Sequence, residues 1–404
     1  MATPAQRTNT WTLDQWYDQA VAGTTGGYQE AFELFAWGGN DDGQLGQNNP
    51  TKYSSPVQIP GTTWDKIFST HGDYSTFYAI KNNGTLWSWG SNDYDLLGDA
   101  TTQGNRSSPL QVGTATNWKA LFGGKRATLA SKTDGTLWIW GDNEEGILGQ
   151  NDDPNIQTPV QIPGTNWTGT LAAMGMGDDS AGALKTDGTL WTWGTNGHGQ
   201  LMLNDRTERS SPTQVPGTWQ DFKINRRLAT ATKTNGTLWA CGTNYKGGLG
   251  QNTDGGYRSS PVQIPGTTWR SVGGNGEGYT GWALKTDNTM WAWGPNFYGA
   301  LGQNEGPGSG GTKDGASSPV QIPGTNWDNY SVARVAGTGD PAMLAAKTDG
   351  SLWVWGPNIG DFKGGLGLND IISRSSPTQL PGDWEGSRGR YTATGSSMAA
   401  LKKT

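Results

Sequence analysis

The sequence predicts an all-β fold, a seven-bladed β-propeller whose ring is closed by strands from both ends of the chain. A Trp-Gly pair, replaced once by Cys241-Gly242, recurs seven times at intervals of 48 to 62 residues. A Ser-Pro or Thr-Pro pair follows each copy, from Ser55-Pro56 to Ser376-Pro377. A repeat of about 50 residues is typical of propellers and solenoids.

Each repeat predicts four strands, A to D, and strand A begins at the Trp after Pro-Gly-Thr. Apolar side chains alternate from Leu137 to Trp140, and this Leu-Trp-x-Trp segment is strand C. An Asn-Gly or Asp-Gly pair before it, such as Asp134-Gly135, predicts a two-residue type I′ turn after strand B. The Pro-Val-Gln-Ile-Pro segment is strand D, at the sheet edge, because proline has no N–H to donate. Gly, Pro and Asn interrupt every window, which nearly excludes helix.

The two ends of the chain predict how the ring closes. The first repeat starts with strand C, at Glu33, and the last repeat stops with strand B, at Lys402. One blade would then take two strands from each end. A closed ring gives a reason for this split, because closure removes exposed sheet edges, whereas a solenoid gives none.

We expect two parts, an arm over residues 1–31, which do not follow the repeat, and a propeller over 32–404. The apolar side chains of the arm recur at helical spacing and predict a short amphipathic helix with aromatic anchors. Such a helix must pack either on its own propeller or on a neighbouring subunit, and both alternatives are open. The predicted attachment residues of the arm are Trp11, Leu13, Trp16 and Tyr17.

Composition limits the function. The chain has 404 residues and a net charge of −6, which disfavours a general nucleic-acid binder. No apolar run approaches the ~18–20 residues of a membrane span, so we expect no membrane insertion. The first ten residues lack the apolar region of a secretory signal, and the single cysteine excludes an intrachain disulfide.

The repeat resembles that of the regulator of chromosome condensation family, a seven-bladed propeller. The resemblance rests on Trp-Gly-Gly-Asn-Asp-Asp-Gly-Gln-Leu-Gly at Trp37 to Gly46 and on Leu-Lys-Thr-Asp-Gly-Thr-Leu-Trp at Leu184 to Trp191. It implies protein binding across a propeller face rather than a shared reaction. Members include an exchange factor for a nuclear GTPase, ubiquitin-ligase modules and a bacterial inhibitor of beta-lactamases. The regular Ser-Ser-Pro-Val-Gln-Ile-Pro-Gly-Thr segments look most like bacterial and bacteriophage members.

Reaction chemistry is not apparent in the sequence. His71 and His198 stand in different repeats, and Cys241 takes the place of a repeat Trp, so no metal site can be assembled from them. Paired carboxylates such as Asp41-Asp42 are adjacent, whereas a glycosidase needs two carboxyls that face each other across a cleft. We therefore expect no catalytic residue, no metal, no cofactor and no enzymatic activity.

Trp and Lys recur at fixed positions of the repeat, and we expect both to have structural roles. The repeated Trp residues are expected to pack between blades, because Trp buries a large apolar area. A lysine stands before each hairpin turn, from Lys81 to Lys402, and could form a ring of cations. Aspartates two residues away partly cancel that charge, so we expect solvated strand ends instead.

Recognition is predicted on the face that carries the A–B and C–D loops, because all variation in loop length falls there. In the C–D loops a framework Asn is constant, while the two residues after it change from repeat to repeat. Neutral drift of solvated loops is the alternative. The predicted binding residues are Asp41, Asp42, Asp93, Tyr94, Glu144, Glu145, His198, Tyr245, Lys246, Phe297 and Tyr298.

Two functions follow from these observations. The first is a non-enzymatic component of a bacteriophage virion, associated with tail or capsid, whose arm attaches it to other virion subunits. Its long loops would then recognise a partner such as a host surface receptor. The alternative is a soluble, cytoplasmic propeller that inhibits or regulates a partner protein.

Overall fold

The prediction of an all-β propeller is confirmed by the computed structural model, which describes residues 32–70, 75–100, 104–151, 154–274, 279–296, 298–304, 315–334 and 341–403. These residues form seven four-stranded antiparallel sheets, the blades of the propeller. The predicted arm and its helix lie outside the described residues and stay a prediction. Among the described residues, no helix is long and apolar enough to cross a membrane.

Blade 7 joins the two ends of the chain, as the truncated repeats predicted. Its strands C and D are β1 (Phe32–Gly38) and β2 (Tyr53–Ile59), and its strands A and B are β27 (Tyr391–Ala393) and β28 (Ser397–Lys403). The sheet order is β2-β1-β28-β27. Strands β1 and β28 pair along their full length, from Phe32 with Lys403 to Gly38 with Ser397.

The other six blades follow the chain, each in the order A, B, C, D. Blade 1 contains β3 (Trp64–Ser69), β4 (Thr76–Lys81), β5 (Leu86–Gly90) and β6 (Arg106–Gln111). Blade 2 contains β7 (Trp118–Gly123), β8 (Ala127–Lys132), β9 (Leu137–Gly141) and β10 (Ile156–Gln161). Blade 3 contains β11 (Met174–Met176), β12 (Ser180–Leu184), β13 (Leu190–Gly194) and β14 (Arg209–Val215).

The remaining three blades also contain four strands each, in the same order. Blade 4 contains β15 (Asp221–Ile224), β16 (Leu228–Thr232), β17 (Leu238–Thr243) and β18 (Tyr257–Ile264). Blade 5 contains β19 (Trp269–Gly274), β20 (Gly281–Lys285), β21 (Met290–Pro295) and β22 (Gly315–Gln321). Blade 6 contains β23 (Trp327–Arg334), β24 (Pro341–Lys347), β25 (Leu352–Gly356) and β26 (Arg374–Gln379). Within the described loops there are five single 3₁₀ turns, at Asp93–Asp95, Glu144–Gly146, Leu171–Ala173, Tyr245–Gly247 and Gly360–Phe362.

The B–C turns differ from the predicted type I′ turn. Only the glycine is left-handed, as in Gly135 with a φ of 79°, and Asp134 before it keeps a negative φ. The loop has three residues, because Gly135 N donates to Lys132 O at 3.2 Å and Lys132 N donates to Thr136 O at 3.0 Å. This is a turn followed by a left-handed bulge residue. Asn288 takes the glycine position in blade 5, with a φ of 62°.

A chain of side-chain hydrogen bonds explains why the turn takes this form. The Asp134 carboxylate accepts from the backbone N–H of Thr136 at 3.0 Å and from its hydroxyl at 2.6 Å. Trp138 Nε1 in turn donates to the Thr136 hydroxyl at 2.8 Å. The same chain recurs in the six continuous blades, with Asn83 and Asn235 in place of Asp and Ser351 in place of Thr.

The second Trp of strand C packs between blades, as predicted. Trp140 is fully buried, and its Nε1 donates to Leu96 O of the preceding blade at 2.7 Å. The closing interface is built in the same way, since Trp37 Nε1 of blade 7 donates to Gly365 O of blade 6 at 3.0 Å. At blade 4 the thiol of Cys241 takes this role and donates to Gly199 O at 3.1 Å.

The recurring lysines are not solvated strand ends, contrary to the sequence-based expectation. The ammonium of Lys132 lies 4.7 Å from the ring centre of Trp118 and 3.7 Å from that of Trp138. Burial lowers the pKa of Lys132. The arrangement recurs in the six continuous blades, so each lysine is half-buried in a cation–π clamp between strand A and strand C. Sequence spacing does not reveal the clamp, because its two Trp residues lie on different strands.

Candidate functional site

The A–B and C–D loops share one end of the ring, which we call the long-loop face. Each C–D loop is built around its framework Asn. Asn40 Nδ2 donates to the carbonyl oxygens of Asn49 and Thr51 at 2.7 and 2.9 Å, and its Oδ1 accepts from Leu45 N at 2.9 Å. In four other loops the framework Asn accepts the same bond from the backbone N–H of a leucine: Leu148, Leu201, Leu249 and Leu301. In these loops a side-chain amide thus fixes the backbone, while residues after it, such as Asp41 and Glu144, reach the surface.

The predicted binding residues lie next to one another around the rim rather than in one pocket. Asp41, Asp93, Glu144, Glu145 and Tyr245 are exposed. The residues that are only half-buried are Asp42, Tyr94, His198, Lys246 and Tyr298. Phe297 lies outside the described residues.

Blades 7, 1, 2 and 3 carry an acidic arc, which consists of Asp41, Asp42, Asp93, Asp95, Glu144, Glu145 and Glu208. Burial raises the pKa of Asp42, and the charges of Asp93 and Asp41 raise it further. Burial also raises the pKa of Glu208, and the adjacent Glu145 carboxylate adds to the effect. Neighbouring blades therefore present carboxylates close enough to repel one another.

Arg126, in the A–B loop of blade 2, links three loops of the long-loop face. Its guanidinium donates to Asp142 at 3.2 Å, lies 3.1 Å from Asp179 of blade 3 and contacts Glu144. It also lies over the ring of Tyr94 in blade 1, 5.0 Å from the ring centre. Tyr94 and Glu144, two of the predicted residues, are thereby held together by an arginine that sequence reasoning did not select.

Blades 3, 4 and 5 carry a basic–aromatic cluster, which consists of His198, Arg206, Arg226, Arg227, Tyr245, Tyr257 and Tyr279. Arg206 stacks on Tyr257 at 4.9 Å, and Arg227 donates to the Tyr279 hydroxyl at 2.9 Å. The rings of Tyr245 and Tyr279 are 4.7 Å apart. Burial and the charges of Arg227, Arg226 and Arg206 lower the pKa of His198.

The sequence predicted this face correctly as the site of the A–B and C–D loops, but all the binding residues named from it lie in C–D loops, so several residues of the face were missed. Arg126, Asp179, Arg226, Arg227 and Tyr279 all belong to A–B loops. The available signal was a pair of charges after strand A in three successive repeats, Lys125-Arg126, Asp178-Asp179 and Arg226-Arg227.

The central channel holds a small cavity of about 90 Å³, lined by strand A residues together with Leu171, Arg388 and Gly389. The ammonium of Lys223 reaches into it and donates to the carbonyl oxygens of Leu171, Met174 and Phe222 at 2.6, 3.0 and 2.8 Å. Burial lowers the pKa of Lys223 to about 8, while Asp221 at 3.5 Å favours the charged form. Because its donors meet backbone carbonyls of blade 3, Lys223 ties blades 3 and 4 together.

The fold and its loop face define a class, a seven-bladed propeller whose variable loops are carried at one end of the ring. Three segments of the chain match a known repeat. The family model described as "Regulator of chromosome condensation (RCC1) repeat" matches residues 33–69, 134–184 and 187–223. These three segments match the RCC1 repeat, and the seven-bladed ring has an RCC1-like propeller fold.

The proteins and structures that this chain resembles include several from eukaryotes. The chain is 26% identical to the ultraviolet-B receptor UVR8 of Arabidopsis thaliana, over 85% of this chain and 76% of that protein. It is 26% identical to the E3 ubiquitin-protein ligase HERC2 of Mus musculus, over 92% of this chain but 8% of that protein. The structure of Prp20p from Saccharomyces cerevisiae covers 93% of this chain with a TM-score of 0.74 at 18% identity, over 92% of its own length.

Proposed function

We propose that this chain is a non-enzymatic protein-binding module that inhibits or regulates a partner through its long-loop face. The observation that carries the proposal is the placement of exposed apolar side chains. Among the described residues, five large hydrophobic side chains are exposed, and four of them lie in or beside C–D loops: Tyr245, Tyr257, Ile371 and Ile372, at 44, 46, 53 and 61%. Exposed apolar groups rimmed by polar ones mark interaction sites, and Tyr with Arg supplies most hot spots.

Catalytic chemistry has little support on this face. Within the described ranges, no group of three His, Cys, Asp or Glu residues could hold a metal ion. Cys241 is buried, and burial raises the pKa of its thiol far above the usual range, so the reactive thiolate does not form. His198 stands among arginines rather than beside a nucleophile.

The relatives favour a regulator over a virion component. Their names are those of a receptor and a ubiquitin-protein ligase, and the Prp20p structure is reported with the binding of that protein to Gsp1p and histones. Those partners belong to those proteins, and Prp20p is similar in fold alone. The hypothesis of a bacteriophage virion protein, with virion subunits and a host receptor as partners, has no support among these plant, animal and yeast relatives.

The proposal is tested by placing a photo-crosslinking amino acid on each face of the full-length chain in its native cells. A benzophenone side chain replaces Tyr245 on the long-loop face. The matched control replaces Thr165, an exposed residue in the D–A link on the opposite face.

Irradiation should give discrete protein adducts from the Tyr245 position and few from the Thr165 position. Equal yields of the two variants and equal melting temperatures confirm that both are folded. Adducts confined to the Thr165 position would reverse the two faces, and no adduct from either position would reject the binding function.

A further inference from the structure

The basic–aromatic cluster has positive charge that the described part of its own chain leaves uncompensated. Asp205 pairs with Arg209 at 2.7 Å, and Asp178 pairs with Arg226 at 3.6 Å. No described carboxylate lies within salt-bridge distance of Arg206 or Arg227. Burial lowers the pKa of His198, and the charges of Arg227, Arg226 and Arg206 lower it further.

The tyrosines of the cluster hold these arginines in place. The Arg227 guanidinium is oriented by its bond to Tyr279, whose ring packs against Tyr245. The Arg206 guanidinium lies over the ring of Tyr257. A guanidinium supported on an aromatic ring loses less side-chain freedom when it binds a carboxylate. Tyr245 and Tyr257 remain 44 and 46% exposed and offer apolar area beside the charges.

We propose that the basic–aromatic cluster is the docking site for an acidic segment of a protein partner. Its carboxylates would pair with Arg206 and Arg227, and an apolar side chain beside them would lie against Tyr245. This inference rests on the proposed function and names the partner chemistry that one part of the long-loop face accepts.

The acidic arc is the reason for choosing a protein segment over a nucleic acid. The boundary between arc and cluster lies inside one loop, residues 195–208, where Glu208 is two residues from Arg206 and beside Glu145 of blade 2. A nucleic acid repeats its charge along the whole strand, so any length beyond the cluster would run over carboxylates. A short acidic segment of a mixed sequence fits the limited positive area.

The test uses the full-length protein and a fluorescein-labelled glutamate peptide, which has four central glutamates and one adjacent leucine within twelve residues of otherwise glycine and serine. Binding is followed by fluorescence anisotropy at low and at physiological salt. Two competitors are used, a peptide of twelve lysines and an oligonucleotide of twelve thymidines. The test variant carries Arg206→Gln and Arg227→Gln. The control variant carries Lys363→Gln and Arg388→Gln, which removes the same charge from two exposed positions outside the cluster.

We expect the glutamate peptide to bind and to weaken as salt rises, because exposed charges are screened. The Arg206 and Arg227 variant should lose at least tenfold in affinity, and the control variant should lose less than threefold. The proposal is overturned if the peptide does not bind, if both variants weaken it equally, or if the thymidine oligonucleotide binds as tightly. Self-association of the protein that blocks peptide binding would also overturn the proposal. Unchanged melting temperatures exclude misfolding.

His198 supplies an independent readout. The chain has two histidines, so two imidazole signals are expected in an NMR titration, and His71→Gln assigns them. Carboxylates bound at the arginines would raise the pKa of His198, whereas binding elsewhere would leave it unchanged. Failure of this inference is distinguishable from failure of the proposed function. Protein adducts at Tyr245 that the glutamate peptide does not suppress would keep the binding function and reject the acidic segment.

Discussion

Met202 of blade 3 and Cys241 of blade 4 compensate each other in size at one interface of the ring. At other interfaces a glycine stands in the place of Met202 and a tryptophan in the place of Cys241. Gly98 and Trp140 are one such pair, and a Cβ added to Gly98 would lie 2.8 Å from the indole nitrogen of Trp140. Met202 keeps the left-handed backbone of that glycine, with a φ of 63°. Its side chain and that of Cys241 are both fully buried in one apolar cluster.

This compensation predicts strong coupling between the two positions. Met202→Gly alone removes buried volume and should destabilise the protein by about 2–4 kcal/mol. Cys241→Trp alone places an indole against Met202 and should cost about 1–3 kcal/mol or more. The double variant restores the arrangement of the other interfaces, so its loss should be smaller than the sum by about 1–3 kcal/mol.

Urea denaturation of the wild type, the two single variants and the double variant measures the coupling energy. Additive losses would show that Met202 and Cys241 adjust to their surroundings independently. The matching cycle at Gly98 and Trp140, with Gly98→Met and Trp140→Cys, should show coupling of the same sign.

Ring closure predicts that strand β28 is essential for stability. Removal of residues 397–404 deletes the buried side chains of Met398 and Leu401 and leaves β1 without its pairing partner. The loss should be about 5 kcal/mol or more, by analogy with large core deletions. Calorimetry should show a sharply lower melting temperature, while removal of Thr404 alone should have little effect. A truncated protein as stable as the wild type would contradict closure by strand pairing.

The aspartates of the B–C turns are expected to stabilise the fold in a way that depends on pH. Hydrogen bonds from the Thr136 side chain and backbone lower the pKa of Asp134, and equivalent bonds lower the pKa of Asp187, Asp287 and Asp349. Each folded pKa lies below the unfolded value of about 3.9. The contribution is therefore fully present above pH ~4 and is lost as the pH falls through the folded pKa values.

A variant with all four aspartates changed to asparagine tests this dependence. Asparagine keeps the acceptor oxygen, as Asn83 does in blade 1 at 2.7 Å, but it does not titrate. The wild type should exceed the variant in melting temperature at pH 7, and the difference should shrink toward pH 2.5. A difference that is the same at every pH would show that these carboxylates do not contribute through their charge.

The cation–π clamps predict a small, local stabilisation at each turn. Lys132→Met should lower the free energy of unfolding by about 0.5–1 kcal/mol, because it removes the charge from above Trp118 and Trp138. Lys132→Arg should retain most of the stability, and Lys363→Met, at an exposed loop position, should change it by less than about 0.5 kcal/mol. Equal effects of Lys132→Met and Lys363→Met in urea denaturation would argue against the clamp.

The B–C turns show that a local sequence pattern can locate a hairpin without giving its turn type. The Asn-Gly and Asp-Gly pairs located the B–C hairpins of five blades, but two-residue turn statistics selected the wrong turn type. The Thr two residues after Asp134 bonds its carboxylate, and Trp138 then bonds that Thr. These side-chain bonds favour the three-residue loop over the type I′ turn.

The sequence by itself determined the number of blades, the strand order and the shared blade 7. Those features depend on periodicity and on turn residues within one repeat, and both can be read along the chain. Only the tertiary structure decided how neighbouring repeats meet. Arg126 reaches Asp179, and Met202 meets Cys241, because ring packing brings together residues about 40 to 50 positions apart. No local pattern encodes such distances, so the charged and aromatic contacts of the long-loop face could be assigned only from the folded ring.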